Sequence, residues 1–144
     1  MLKGIPSILS PELLYLMAQM GHGDELVLAD GNFPAVSMGK RLVRADGHGV
    51  LKILEAVLQL FPLDLFVEQP AAVMRRVDKP DEAAPIWHEY QKLLEAAHGK
   101  RVSIERVERF AFYERAKVAF GVVATGETAL YGNLIIKKGV IEAG

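Results

Sequence analysis

Four segments of the chain place apolar residues at the three- and four-residue spacing of an amphipathic helix. The first begins with Ser10 as the N-cap and Pro11 at the first helical position, and Gly21 ends it. Pro62 stops the second, because proline disfavours helical backbone in the residue before it. The four predicted helices cover residues 11–20, 50–61, 83–97 and 108–118.

Short apolar runs between these helices predict strands. Residues 26–29 form a near-continuous apolar run, typical of a strand buried on both faces of a parallel sheet. Strands that alternate with helices predict an α/β fold: a three-layer α/β/α sandwich with a mostly parallel, mixed sheet of about six strands. No internal repeat or long linker interrupts the pattern, so residues 1–144 are predicted to form a single domain. The other candidate strands are residues 41–44, 63–67, 71–77, 102–107, 120–124 and 134–136, the last running on to Lys137.

Composition narrows the classes of function. The 144 residues are 51% hydrophobic and carry a net charge of −1 without a basic block, which disfavours nucleic acid as a partner. No apolar run approaches the ~20 residues of a membrane-spanning helix. The start of the chain lacks the pattern of a secretory signal, so a cytoplasmic location is expected. The chain has no cysteine, which excludes a disulfide framework.

The first candidate chemical group is His22, which lies between two glycines after a predicted helix. Its imidazole titrates near neutrality and is able to give or take a proton there. The alternative is a tight connection in which Gly21 caps the helix and the ring has no role. Asp30 follows the predicted strand 26–29, where open α/β sheets place ligand groups, although Asp-Gly-Asn also favours a plain turn.

Two further polar groups come from the second half of the chain. Arg109 and Tyr113 are four residues apart on a predicted helix, so one ligand is able to contact both. Tyr131 and Asn133 lie on one face if their segment is extended, and Gly132 between them permits close approach of the backbone. The alternative for residues 131–133 is a turn that enters the last strand. Together these residue types suit a small, neutral, polyhydroxylated ligand.

Six motifs together resemble the fucose branch of the ribose pyranase/fucose mutarotase family. The resemblance extends over most of the chain and is weakest between residues 63 and 100. Arginine at position 109 with tyrosine at position 131 favours the fucose branch over the ribose branch. The motifs are MGHGD at 20–24, DGNFP at 30–34, RADG at 44–47, RFAFYER at 109–115, TGE at 125–127, and YGN at 131–133 continuing to KKGV at 137–140.

The resemblance implies an isomerase that interconverts the anomers of a free monosaccharide without cofactor or metal. It places His22 on the family's proton donor and Tyr113 on a phenol near the reacting centre. It places the remaining five residues, Asp30, Arg109, Tyr131, Gly132 and Asn133, on positions that bind the sugar. It also implies a homodecamer with its sites between subunits.

Chain geometry bears on that last point. Eight residues separate His22 from Asp30, roughly 26 Å of extended chain at ~3.3 Å per residue. A straight segment cannot bring both to one sugar, so either the ends of the segment curl back or His22 reaches the pocket of a neighbouring subunit. The second option agrees with the decamer that the resemblance implies, and we therefore expect composite sites. Three other functions stay open: a D-ribose pyranase, a non-catalytic sugar-binding protein, and a metal hydrolase. The hydrolase is disfavoured because His22, Asp24 and Asp30 make a poor zinc ligand set.

Overall fold

The computed structural model describes residues 1–143 and contains five helices and six strands in that part of the chain. The helices are α1 (Pro11–Gln19), α2 (Ala35–Met38), α3 (Val50–Leu58), α4 (Pro85–His98) and α5 (Arg109–Val118). The strands are β1 (Glu25–Ala29), β2 (Leu42–Ala45), β3 (Ala71–Met74), β4 (Ile104–Val107), β5 (Gly121–Thr125) and β6 (Leu134–Lys137).

All six strands form one mixed sheet in the order β2-β5-β1-β6-β3-β4. Strand β6 pairs antiparallel with β1 on one side and with β3 on the other. The remaining pairs, β2 with β5, β5 with β1, and β3 with β4, are parallel. Five strands therefore end at the same edge of the sheet, and β6 begins there.

Helices cover both faces of the sheet and give the three layers. Apolar residues of α1, α3 and α4 share one buried cluster with alternate residues of the strands, such as Leu26 and Leu28. Residues of α2 and α5 share the second cluster with the other strand face, including Val27 and Ala29. Because β1 is buried on both sides, its run of apolar residues is the expected pattern.

Local sequence determines where the helices begin. The Ser10 hydroxyl accepts a hydrogen bond from the amide of Leu13 at 3.1 Å, and Pro11 occupies the first helical position. Glu108 caps α5, since its carboxylate accepts hydrogen bonds from the amides of Phe110 and Ala111, both at 3.0 Å. No helix within residues 1–143 is long and apolar enough to cross a membrane.

The predicted layers, mixed sheet and helices agree with the structure, with three differences. Residues 63–67 do not form a strand; only Leu63 makes an isolated antiparallel bridge, to Lys138. The Asp64 carboxylate accepts a hydrogen bond from the amide of Phe66, a local turn that competes with strand pairing. Strand β3 ends at Met74 rather than Val77, and the four-residue helix α2 was not predicted.

Candidate active site

A polar pocket of about 430 Å³ lies at the edge of the sheet where the parallel strands end. Its volume is within the range that small-molecule sites occupy. Five of the residues predicted from the sequence line it: Asp30, Arg109, Tyr113, Tyr131 and Asn133. These residues come from three places in the chain, which the sheet topology brings together: the end of β1, the first turns of α5 and the segment before β6.

Asp30 is buried at the base of this pocket and is held by the backbone around it. Its carboxylate accepts hydrogen bonds from the amides of Asn32 at 3.0 Å and Gly132 at 3.3 Å. Burial raises the pKa of Asp30, although these amides act in the opposite direction. Each carboxylate oxygen retains a lone pair, so Asp30 is able to accept a further hydrogen bond from a ligand hydroxyl.

The backbone turns at residues 130–131, and residues 132–133 lead from this turn into β6. Tyr131 has a φ of 57°, which places it in the left-handed region that non-glycine residues adopt uncommonly. The alternative reading, a turn that enters the last strand, is therefore the correct one for the backbone. Tyr131 and Asn133 still reach the same pocket because the turn directs both toward it.

The hydrogen bonds of this turn decide which polar groups remain for a ligand. The amide of Asp30 donates to Asn133 Oδ1 at 2.7 Å, which leaves the Asn133 Nδ2 group as a donor. The amide of Val77 donates to the Tyr131 hydroxyl at 3.1 Å. Gly132 contributes its backbone: a Cβ there would lie 3.0 Å from the Ala129 carbonyl oxygen, so glycine suits this close packing.

Helix α5 presents a cation and a phenol to the pocket, as the four-residue spacing predicted. The Arg109 Nε atom is buried and has no hydrogen-bond partner among the described residues. Buried donors of this kind normally have a partner, so the Arg109 guanidinium retains donor capacity that the described residues do not use. The Arg109 guanidinium also lies over the Phe110 ring, 4.6 Å from its centroid. The Tyr113 ring packs against Phe33, with the ring centroids 5.8 Å apart.

His22 does not line this pocket. It lies before β1, whereas Asp30 follows β1, so the two residues are at opposite edges of the sheet. The five residues of β1 alone span about 16 Å at about 3.3 Å per residue. The His22 Nε2 atom is 3.1 Å from Oδ1 of Asp64, and its ring packs against Phe66 with the centroids 5.3 Å apart.

Sequence reasoning missed several residues that shape the pocket. Asn32 and Phe33 belong to the DGNFP motif, so their proximity to Asp30 was already a signal. Met74 ends β3, and Val77 and Asp78 follow it, so the rule that ligand groups gather at strand carboxyl ends would have indicated them. The remaining missed lining residue is Leu130. Within residues 1–143, no group of three His, Cys, Asp or Glu side chains is placed to hold a metal ion.

Fold and pocket together define a three-layer α/β protein with a small-molecule-sized site of mixed polar and apolar lining at the carboxyl end of its central strand. Residues 3–141 match the model of the RbsD / FucU transport protein family. The chain therefore belongs to this family, which confirms the resemblance seen in its motifs.

Similar proteins are found among curated sequences and solved structures. The fucose mutarotase of Homo sapiens is 59% identical over 146 residues, covering 97% of this chain and 94% of that protein. The crystal structure of the fucose mutarotase in complex with L-fucose from Streptococcus pneumoniae matches with a TM-score of 0.92 and 43% identity. That match covers 98% of this chain and 100% of the other. Bacillus subtilis RbsD complexed with D-ribose matches with a TM-score of 0.74 and 23% identity, covering 99% of this chain and 100% of that one, which shows a shared fold.

Proposed function

We propose that this protein is an isomerase that interconverts the α and β anomers of L-fucose by opening and reclosing the hemiacetal ring. The convergence of Asp30, Arg109, Tyr113, Tyr131 and Asn133 on one pocket carries this proposal. Relatives that share 50–60% of their residues with nearly the whole chain are named fucose mutarotases, which supports L-fucose as the substrate.

The pocket supplies groups of the kind that hold a neutral sugar. Asp30 accepts a hydrogen bond from a sugar hydroxyl, while Arg109 Nε and Asn133 Nδ2 donate to sugar oxygens. Gly132 holds Asp30 in place through its amide, and the ring of Tyr131 forms part of the wall. These five residues are assigned to binding. A site that gripped the open-chain aldehyde too tightly would trap it, so modest affinity is expected.

Ring opening requires one proton to leave the anomeric hydroxyl and one to reach the ring oxygen. We assign His22 to one of these transfers and the Tyr113 hydroxyl to the other, since both groups are able to exchange protons. Placed acid and base groups each contribute about 10²–10⁴-fold, which suffices for a reaction that already proceeds measurably in water. This chemistry uses side chains of the chain itself and requires neither metal nor cofactor.

The separation of His22 from the pocket supports a composite site, in which His22 of one subunit completes the pocket of another. The region around His22 and the region around the pocket are both bordered by exposed apolar side chains, which suit a contact between two copies of this chain. Phe66 and Leu65 are exposed beside His22, and Val77, Phe110 and Leu130 are exposed around the pocket. We propose a homodecamer in the cytoplasm, with a site at each interface between neighbouring subunits.

Saturation-transfer NMR on free L-fucose tests the function. The exchange rate between the α and β signals should rise in proportion to wild-type protein and fall to the uncatalysed rate with His22→Ala. His88→Ala is the matched control, because His88 is an exposed histidine of α4 at a distance from the proposed groups. Wild-type protein that leaves the exchange of L-fucose unchanged would contradict the proposal. D-ribose run in parallel distinguishes a mutarotase from a pyranase.

Mixing two inactive variants tests the composite site. His22→Ala retains an intact pocket, and Asp30→Ala retains His22, so a mixed particle contains some interfaces with both groups intact. We expect activity to return when the two variants are dissociated together and reassembled. A pocket completed within one chain would leave the mixture inactive.

A further inference from the structure

Asp64 is the partner of His22, and nothing in the proposed mechanism so far uses it. Its Oδ1 atom is 3.1 Å from His22 Nε2, and its side chain is only 3% exposed, against 45% for His22. The same Oδ1 accepts a hydrogen bond from the amide of Phe66 at 3.0 Å. The carboxylate is therefore fixed by the backbone while the imidazole that it contacts faces outward.

Both members of this pair are anchored to the end of β6. The amide of Asp64 donates to the Lys137 carbonyl at 3.0 Å, and the amide of Gly23 donates to the Lys138 carbonyl at 2.8 Å. Gly139 permits this arrangement, since a Cβ there would lie 2.9 Å from the Asp64 Cα. The distance between the ring and the carboxylate is thus set by the sheet rather than by two independent loops.

The protonation state of Asp64 decides which nitrogen of His22 carries hydrogen. Burial acts to raise the pKa of Asp64, but the Phe66 amide, His22 and the charge of Lys137 more than offset it, so the pKa lies below its usual value. An ionised carboxylate only accepts hydrogen bonds. The neutral imidazole must therefore donate from Nε2, and Nδ1 carries the free lone pair.

We propose that Asp64 is a positioning residue that holds His22 as its Nε2–H tautomer and thereby makes Nδ1 the atom that exchanges a proton with the sugar. This inference rests on the proposed function for its catalytic consequence. Removal of the carboxylate lets the ring rotate and populate both tautomers. In metal sites, groups that orient a ligating histidine contribute about 10–100-fold to affinity or activity, and we expect an effect of the same size here.

Long-range ¹⁵N–¹H NMR of histidine-labelled protein reads the tautomer directly. In the wild type, the neutral His22 ring should show one fixed pattern, with a pyrrole-like Nε2 and a pyridine-like Nδ1. Addition of L-fucose should shift the Nδ1 signal and leave Nε2 protonated. A ring that is protonated at Nδ1, or that averages between tautomers, overturns the proposal, and this measurement requires no variant to fold.

Two variants separate positioning from packing. In Asp64→Asn the side-chain oxygen still accepts from Phe66 and from His22, so the tautomer and much of kcat should be retained. Asp64→Ala should give an averaged tautomer and lower kcat about 10–100-fold. KM should change little, because the groups assigned to sugar binding come from the other subunit of the proposed composite site and are unaltered in this variant. Asp81→Ala, an exposed carboxylate in a turn, is the control and should match the wild type.

The outcomes distinguish this inference from the proposed function. Wild-type kcat in folded Asp64→Ala overturns the positioning role and leaves the mutarotase proposal intact. Wild-type protein that does not accelerate anomer exchange overturns the mutarotase proposal, and the tautomer measurement still stands or falls by itself.

Discussion

Removal of one oxygen atom, in Tyr90→Phe, should destabilise the fold and disturb the pocket together. Tyr90 is fully buried on α4, and its hydroxyl donates a hydrogen bond to the Gly132 carbonyl at 2.6 Å. Burial raises the pKa of Tyr90 above its usual value, so the hydroxyl remains a donor at neutral pH. Phenylalanine fills the same space and leaves the buried carbonyl without this donor.

A buried acceptor that loses its partner costs about 1–3 kcal/mol. At roughly 2–4 °C per kcal/mol for a chain of this size, the melting temperature should fall by about 5 °C. KM for L-fucose should rise more than kcat falls, since Gly132 lies between Tyr131 and Asn133 in the proposed binding segment.

Thermal unfolding followed by circular dichroism measures this shift. Samples are compared at equal protomer concentration, because assembly raises apparent stability by mass action. Tyr15→Phe is the matched control, since Tyr15 is 69% exposed on α1 and should melt with the wild type. If Tyr90→Phe also melts within about 1 °C of the wild type, the assigned role of this hydrogen bond is wrong.

Three further predictions concern the Glu108 cap of α5, the ion pair between Arg115 and Glu25, and Gly139 after β6. Amides of Phe110 and Ala111 hold the pKa of Glu108 below its usual value, so its cap is complete above about pH 4.3 and is lost as the pH falls through the lowered pKa. In thermal unfolding measured at a series of decreasing pH values, the melting temperature of Glu108→Gln should fall less steeply with pH than that of the wild type. Glu142→Gln is the control and should follow the wild type. Arg115→Met leaves the Glu25 carboxylate, which it contacts at 2.6 Å, without this partner and should cost about 2 kcal/mol in urea unfolding. Adding Glu25→Gln should recover part of that loss, and no recovery would argue against a charge effect. Gly139→Ala should displace Asp64 and lower kcat, a result that wild-type turnover would contradict.

The sequence was sufficient for the layers of the fold and for five of the residues that line the pocket. Ser10 with Pro11 indicated α1, and the alternation of apolar runs with amphipathic segments indicated helices on both sides of a sheet. The parallel-sheet rule placed Asp30 at the carboxyl edge of the sheet, where the structure has a pocket. Each of these signals is local, which is why a single sequence reveals it.

The predictions from sequence were wrong or incomplete where residues distant in the sequence determine the local structure. The apolar run at residues 63–67 looked like a strand, but the Asp64 carboxylate turns the chain toward Phe66 instead. Asp64 was missed as the partner of His22 because 42 residues separate them. The left-handed backbone of Tyr131 was also unexpected, since Tyr131 makes its hydrogen bonds with Val77 and Trp87, which are distant in the sequence.

Strand β1 has hydrogen-bonded neighbours on both sides, and residues 26–29 are completely shielded from solvent. Its amides should consequently exchange with deuterium only when the entire sheet opens, on the slowest timescale of the molecule. The loops that carry His22 and Asp30 extend from the two ends of this buried strand. Any accommodation to the rotating aldehyde must then come from mobility of those loops or, in the proposed oligomer, from sliding between subunits, rather than from bending of the sheet.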